Sequence, residues 1–209
     1  LKFELGDAVH GARAAIGLSD TEYLTVGIGD DGRLQRIAHG LTTATGVTAP
    51  TLSFLSPAQP VGADQRPIRL NSGTRPGAAL LNGVPHVAAG AGNEVWLWRQ
   101  FAGREAWESL GKPLAGAARV EQIAITANAG EAVIYAVADT KLYRRVAGGA
   151  DWQPENVPTT DAIVMVAPVV PAGSRAGQQI ESDGVVAVSD QGEMFLGVSG
   201  TWTAIAGGP

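Results

Sequence analysis

Apolar residues in this chain come in short runs in which a branched or aromatic side chain alternates with a small one, as in Val26-Gly27-Ile28, Tyr135-Ala136-Val137 and Val186-Ala187-Val188. Alternation of period two sends successive side chains to opposite faces of a strand. Here one face is bulky and the other small, which suits a sheet held between neighbouring sheets. No segment keeps an apolar rhythm of 3.6 residues beyond about two helical turns, so the pattern predicts strands and no helix. The 28 glycines and 12 prolines are spread between the runs, as expected of many short strands joined by tight turns.

The runs also recur in a fixed order. Asn93 to Trp107 aligns without a gap on Ala138 to Trp152, matching Leu97 with Leu142, Trp98 with Tyr143, Arg99 with Arg144 and Trp107 with Trp152. Ile28 to Gly40 and Val188 to Trp202 are looser copies, and the anchors Leu34, Leu97, Leu142 and Met194 fall 63, 45 and 52 residues apart. A unit of strand, tight turn and aromatic strand repeating near 45 residues is the signature of a β-propeller blade. The expectation is an all-β fold, a β-propeller of about four four-stranded blades in one domain over residues 1–209. It closes as a small ring or forms a segment of a larger one, whose exposed edges need a partner chain or a second copy to complete it.

The blades are expected at residues 12–48, 77–110, 121–157 and 162–205, with the first built from Ala12 to Leu18, Tyr23 to Ile28, Arg33 to Ile37 and Thr43 to Thr48. The outer strand of the third is expected at Trp152 to Val157. Asp30-Asp31-Gly32 and Asp190-Gln191-Gly192 supply the positive backbone angles of hairpin turns, and Asp there bonds its own backbone. Trp107, Trp152 and Trp202 are expected to pack as wedges, one per blade. Residues 50–75 and 168–183 fall outside the pattern as long excursions, where function often sits on a rigid scaffold.

Composition narrows the function. Charged residues make up 17% of the chain, the net charge is −5, and there is no basic block, which removes a nucleic-acid footprint. No apolar run reaches the length of a membrane span. With no cysteine and only His10, His39 and His86, neither a disulfide framework nor a thiolate metal site can form, and no metal or cofactor is expected. The chain begins at Leu1, which suggests a processed product or a piece of a longer polypeptide.

Val133-Ile134-Tyr135-Ala136-Val137 followed by Lys141-Leu142-Tyr143-Arg144 resembles the strand pair of tachylectin-like propellers, and Gly148-Gly149-Ala150-Asp151-Trp152 resembles the end of an Asp-box turn of the sialidase-like (BNR) group. Where that box has an aspartate and a serine or threonine, this chain has Ala147 and Arg145. The resemblance implies glycan recognition or, as an alternative, sialidase-like hydrolysis or lyase chemistry. Such hydrolysis requires an arginine cluster and a tyrosine nucleophile with carboxylates beside it. Tyr23, Tyr135 and Tyr143 all fall inside strand patterns and read as packing aromatics, and no catalytic sequence motif is present.

The residues left as candidates are those that packing does not claim. Trp96 has polar Lys141 and Glu193 as its counterparts, so it reads as an exposed aromatic able to stack on a sugar ring. Arg66, Arg69 and Arg75 lie in the first excursion and complete the candidate ligand-binding set. Arg99 and Arg144 read as cross-strand hydrogen-bonding residues, and His39 and His86 as polar residues beside turns. The expected function is non-catalytic recognition, lectin-like carbohydrate binding or protein–protein interaction through the propeller loops, in an extracellular or cell-surface setting.

Overall fold

The computed structural model describes residues 13–19, 21–44, 47–101, 104–116, 119–149, 151–169 and 183–205. His10, Ala12 and positions 170–182 of the second excursion lie outside them. The described residues form four four-stranded antiparallel sheets, taken up one after another along the chain. Blade 1 holds β1 (Arg13–Gly17), β2 (Tyr23–Ile28), β3 (Leu34–Ala44) and β4 (Val47–Ala58). Blade 2 holds β5 (Gly77–Leu81), β6 (Val84–Ala91), β7 (Glu94–Phe101) and β8 (Arg104–Ser109). Blade 3 holds β9 (Val120–Asn128), β10 (Glu131–Ala138), β11 (Lys141–Val146) and β12 (Gln153–Pro154). Blade 4 holds β13 (Ile163–Pro168), β14 (Val185–Ser189), β15 (Met194–Val198) and β16 (Thr201–Ala204). No helix occurs among the described residues, as the period-two pattern predicts.

The core lies between the sheets rather than within one. Leu24, Val26 and Leu34 of blade 1 pack on Leu80, Val87 and Trp98 of blade 2. Leu81, Val95 and Leu97 pack on Ile123, Ile125 and Ile134 of blade 3. Val133, Tyr135 and Leu142 pack on Ile163, Val166 and Val185 of blade 4. Each such side chain contributes ~1.5–3 kcal/mol by leaving water. The innermost strands approach closely because a small residue stands where they meet: a Cβ on Gly77 of β5 would lie 3.1 Å from Ala124 backbone and from the side chains of Ile123 and Ile125 on β9. Trp107, Trp152 and Trp202 are half-buried, and each packs on the core shared with the preceding blade.

The turns follow the expected chemistry. Gly32 and Gly192 take φ of 72° and 83°, each closing a loop in which its N–H donates to the carbonyl three residues back, Gly29 at 2.9 Å and Ser189 at 3.0 Å. Asp31 accepts from the Arg33 N–H at 3.1 Å, the turn role of an aspartate.

Several sequence expectations change. The outer strand of blade 1 is β4, Val47–Ala58, and not Thr43 to Thr48, because β3 runs on to Ala44 and builds a long hairpin; the first nine residues of the supposed excursion 50–75 are strand. The outer strand of blade 3 shrinks to Gln153–Pro154, where proline removes a ladder donor. Tyr23 is 45% exposed and stacked on His39 at 4.1 Å, unlike the buried Tyr135 and Tyr143. The gapless match of Trp107 with Trp152 also fails in three dimensions. Trp98 pairs across the ladder with Trp107, whereas Tyr143 pairs with Pro154, two residues beyond Trp152. Finally, β1 packs on β5, β5 on β9 and β9 on β13, but among the described residues β13 has no comparable packing on β1. The four blades form an open arc.

Candidate functional site

The four residues singled out from sequence are not gathered into one site. Trp96 is 8% exposed and therefore buried, not an exposed aromatic. It lies on the face of β7 turned to blade 1, beside the small cross-strand neighbours Ala89 and Ser109, which leave room for the indole inside the joint. Its Nε1 has no hydrogen-bond partner. Arg66 is exposed in a loop closed by the Val61–Pro67 bridge and pairs with Asp64 at 3.6 Å. Arg69 donates to the Asp30 carbonyl at 3.3 Å, and exposed Arg75 joins blade 3 through a backbone bridge to Gln122. The loop is tied down by Asn71, whose amide donates to the Gly92 carbonyl at 2.9 Å and accepts from the Gly92 N–H at 2.8 Å.

A different arginine set organises the joints. Arg36, Arg99 and Arg144 hold one position of the repeat, two residues beyond the anchors Leu34, Leu97 and Leu142. In the first joint Arg36 is 5% exposed. It donates to Glu105 of blade 2 at 2.5 Å and to the Ser56 carbonyl at 2.5 Å, and its guanidinium sits 5.1 Å from the Trp98 ring. Glu105 faces Gln100 across the β7–β8 ladder. In blades 3 and 4 the same ladder position falls to Trp152, by continuation of the Arg144–Gln153 register, and to Trp202 opposite Gly197. Trp152 donates to the Leu110 carbonyl of blade 2 at 2.7 Å, and Trp202 donates to Glu155 of blade 3 at 2.6 Å.

The second joint therefore has no carboxylate at the Glu105 position to meet Arg99, and it opens at its rim into a cleft of about 640 Å³. Arg99 turns to Glu108 of its own blade, in a pair where both side chains remain more than a third exposed. His86 is the direct cross-strand partner of Arg99. Its Nδ1 lies 2.8 Å from the Val84 carbonyl, and since a carbonyl only accepts, Nδ1 carries the proton and Nε2 keeps a free lone pair. Burial pushes the imidazole below its ordinary 6.5, Arg99 adds to this, and the Val84 bond opposes it. Arg104, also on the cleft wall, and Glu131, the first residue of β10, add to the polar lining. The cleft thus combines two guanidinium forks, two carboxylates and a neutral imidazole with apolar Leu81 and Val84.

Sequence reasoning passed over most of this set. Arg99 was legible as a cross-strand hydrogen-bonding residue, which it is, and His86 as a polar residue beside a turn; it stands within β6, just past the turn at Asn82 and Gly83. Glu108 and Glu131 gave no signal, because the cleft is made by two blades that lie far apart along the chain at those points.

No family model matches the chain, and no curated protein matches it in sequence. Solved structures do. An α-L-arabinanase of Penicillium chrysogenum, in complex with arabinobiose, superposes with a TM-score of 0.59 at 14% identity, covering 98% of this chain and 67% of that one. The likeness is one of fold. A triple arginine-to-alanine variant of AofleA from Arthrobotrys oligospora matches with a TM-score of 0.59 at 13% identity, over 97% of this chain and 58% of that one. The chain spans about two thirds of the first and less of the second.

Proposed function

We propose that this chain is a carbohydrate-binding propeller segment that holds its ligand in the cleft between blades 2 and 3. The observation that carries the reading is the set Arg99, Glu108, His86 and Arg104 on one wall of an open inter-blade cleft. Sugar hydroxyls donate and accept at once. A guanidinium beside a carboxylate and a neutral imidazole nitrogen meets both needs, at charge-assisted strength. The arabinanase similar in fold was solved with arabinobiose, which makes arabinose-containing oligosaccharides the first ligands to try. Arg66 and Arg69, exposed on the tied-down loop, are proposed as a secondary contact for a longer glycan or a protein partner. An extracellular or cell-surface setting belongs to the same reading.

A glycan array probed with the labelled chain tests it: binding to a discrete set of oligosaccharides is expected, and a folded chain that binds none contradicts it. The same oligosaccharides followed for reducing-end release discriminate the alternative. Sustained turnover abolished by Glu108→Gln or Glu131→Gln would make the cleft hydrolytic.

A further inference from the structure

The cleft lies by the turns at Asn82 and Gly130, which join first strands to second strands. The loop from β4 to β5 runs over the other end of the arc, among the turns that join second strands to third. It is pinned there. The Leu70 N–H donates to the Gly32 carbonyl at 2.8 Å and the Asn71 N–H to the Gly90 carbonyl at 2.7 Å, while the Asn71 side chain bonds Gly92 and the Val120 carbonyl. Arginines on this loop therefore project from a fixed backbone. They differ in what neutralises them. Arg33, in the neighbouring turn, pairs with Asp31 at 3.8 Å, and Arg66 pairs with Asp64 at 3.6 Å. Arg69 instead donates to the Asp30 main-chain carbonyl at 3.3 Å, and Arg119, from the loop between β8 and β9, donates to the Ser72 carbonyl at 2.7 Å. A carbonyl fixes a guanidinium without cancelling its charge. Arg75 is exposed and joins Gln122 through its backbone. Among the described residues no carboxylate lies within ion-pair distance of Arg69, Arg75 or Arg119. The three also stand close together. Ser72, which holds Arg119, is three residues from Arg69 and three from Arg75, at most about 11 Å of backbone either way. The turn in which the Thr74 N–H meets the Asn71 carbonyl shortens the second path.

We propose that Arg69, Arg75 and Arg119 form a second binding site, separate from the cleft and independent of its reading, for an acidic polysaccharide whose carboxylate or sulfate groups pair with the three guanidinium groups. Each fork keeps donors free beyond its carbonyl bond, and a guanidinium can meet two oxygens of one anion at a time. The chain as a whole carries a net charge of −5, so uncancelled cations gathered on one loop direct a polyanion to that spot. Between Arg69 and Arg75 the chain has no aromatic residue for a nucleic-acid base to stack on. Its one large apolar residue there, Leu70, is buried, so the loop also lacks the apolar centre of a protein interface. Repeated anions on a sugar backbone need only spaced cations, and these are held in place.

The test is binding of the chain to polygalacturonate, dextran sulfate, neutral dextran and polyuridylate, followed by biolayer interferometry at low and at raised salt. Wild type is expected to bind polygalacturonate or dextran sulfate, the tighter of the two naming the anion, and to release it as salt rises. Arg75→Gln, which breaks no side-chain bond to a described residue, is expected to weaken binding about twofold to fivefold, and the triple Arg69→Gln, Arg75→Gln, Arg119→Gln variant more than about tenfold, with strand content by circular dichroism unchanged. Should the triple variant unfold, Arg75→Glu replaces it, and reversal of the charge is expected to weaken binding more than its removal. Lys141→Gln, which takes an exposed cation from blade 3, is expected to leave binding as it is. Lack of affinity for both acidic polymers, or affinity unaltered in Arg75→Glu, overturns the proposal. So does an equal loss in Lys141→Gln, or binding of neutral dextran or polyuridylate that matches the acidic polysaccharides.

Discussion

The first and second joints are built from the same repeat and end in opposite states. In the first, Arg36 is met by Glu105 from the next blade, stacks on Trp98 and is sealed from water. In the second, Arg99 starts from the same position but the next blade presents Trp152, which bonds the Leu110 carbonyl. The arginine is left at a rim with its own Glu108, and a cleft remains. In these two joints the arginine position meets different incoming residues, Glu105 in the first and Trp152 in the second.

The largest expected effect separates the two arginines directly. Glu105→Ala leaves Arg36 buried without its counter-ion and should cost ~3–5 kcal/mol, whereas Glu108→Ala removes a half-exposed pair and should cost below ~1 kcal/mol. Denaturant unfolding of both variants measures this, and equal losses would erase the distinction between the joints. Next, Trp152→Ala opens a cavity in the second core and strips the Leu110 carbonyl of a donor, for ~3 kcal/mol. A melting temperature like that of wild type would show that the indole is not a wedge.

A smaller loss is expected at Gly197. A Cβ there would sit 2.8 Å from the Trp202 ring, so Gly197→Ala must push the ring off its sheet, at ~1–3 kcal/mol. Calorimetric melting that is unchanged would place the ring elsewhere. The smallest effect is that of pH. His86 and His39 both hold pKa values lowered from 6.5 by burial, so the unfolded chain takes up protons that the folded one resists. Stability from this source is complete above pH 6.5 and falls as the solution is acidified below it. A His86→Asn chain should show a flatter profile of melting temperature between pH 7 and 5, and an unaltered slope would assign the effect elsewhere.

The fold was legible because its causes are local. Val26-Gly27-Ile28 and its counterparts carry the period of a strand, and Gly32 and Gly192 supply the turns that their positive φ requires. Trp98, Tyr143 and Phe195 at one position announced the stacking of blades, and all three are buried. What failed was register. Two residues of difference in a hairpin moved Trp152 out of line with Trp107 and put a tryptophan where blade 2 has Glu105, a substitution that no linear alignment displays. Trp96 failed as well. Its polar counterparts Lys141 and Glu193 are exposed, although Lys141 also stands opposite an alanine, Ala138, as Trp96 stands opposite Ala89. The cleft depends on which side chains two separate blades leave unpaired, and that is a property of the joint rather than of either sequence segment.

The proposed function turns on whether Arg99 contacts ligand. Titration calorimetry with arabinobiose and with the best glycan from an array, run on wild type, Arg99→Ala and Trp96→Phe, tests it most directly. Loss of the Arg99 guanidinium should weaken binding about tenfold to a hundredfold, the ~1.5–3 kcal/mol of a hydrogen bond to a charged group, while Trp96→Phe, on the far face of the same strand, leaves affinity unchanged. Equal affinity in wild type and Arg99→Ala would contradict the account.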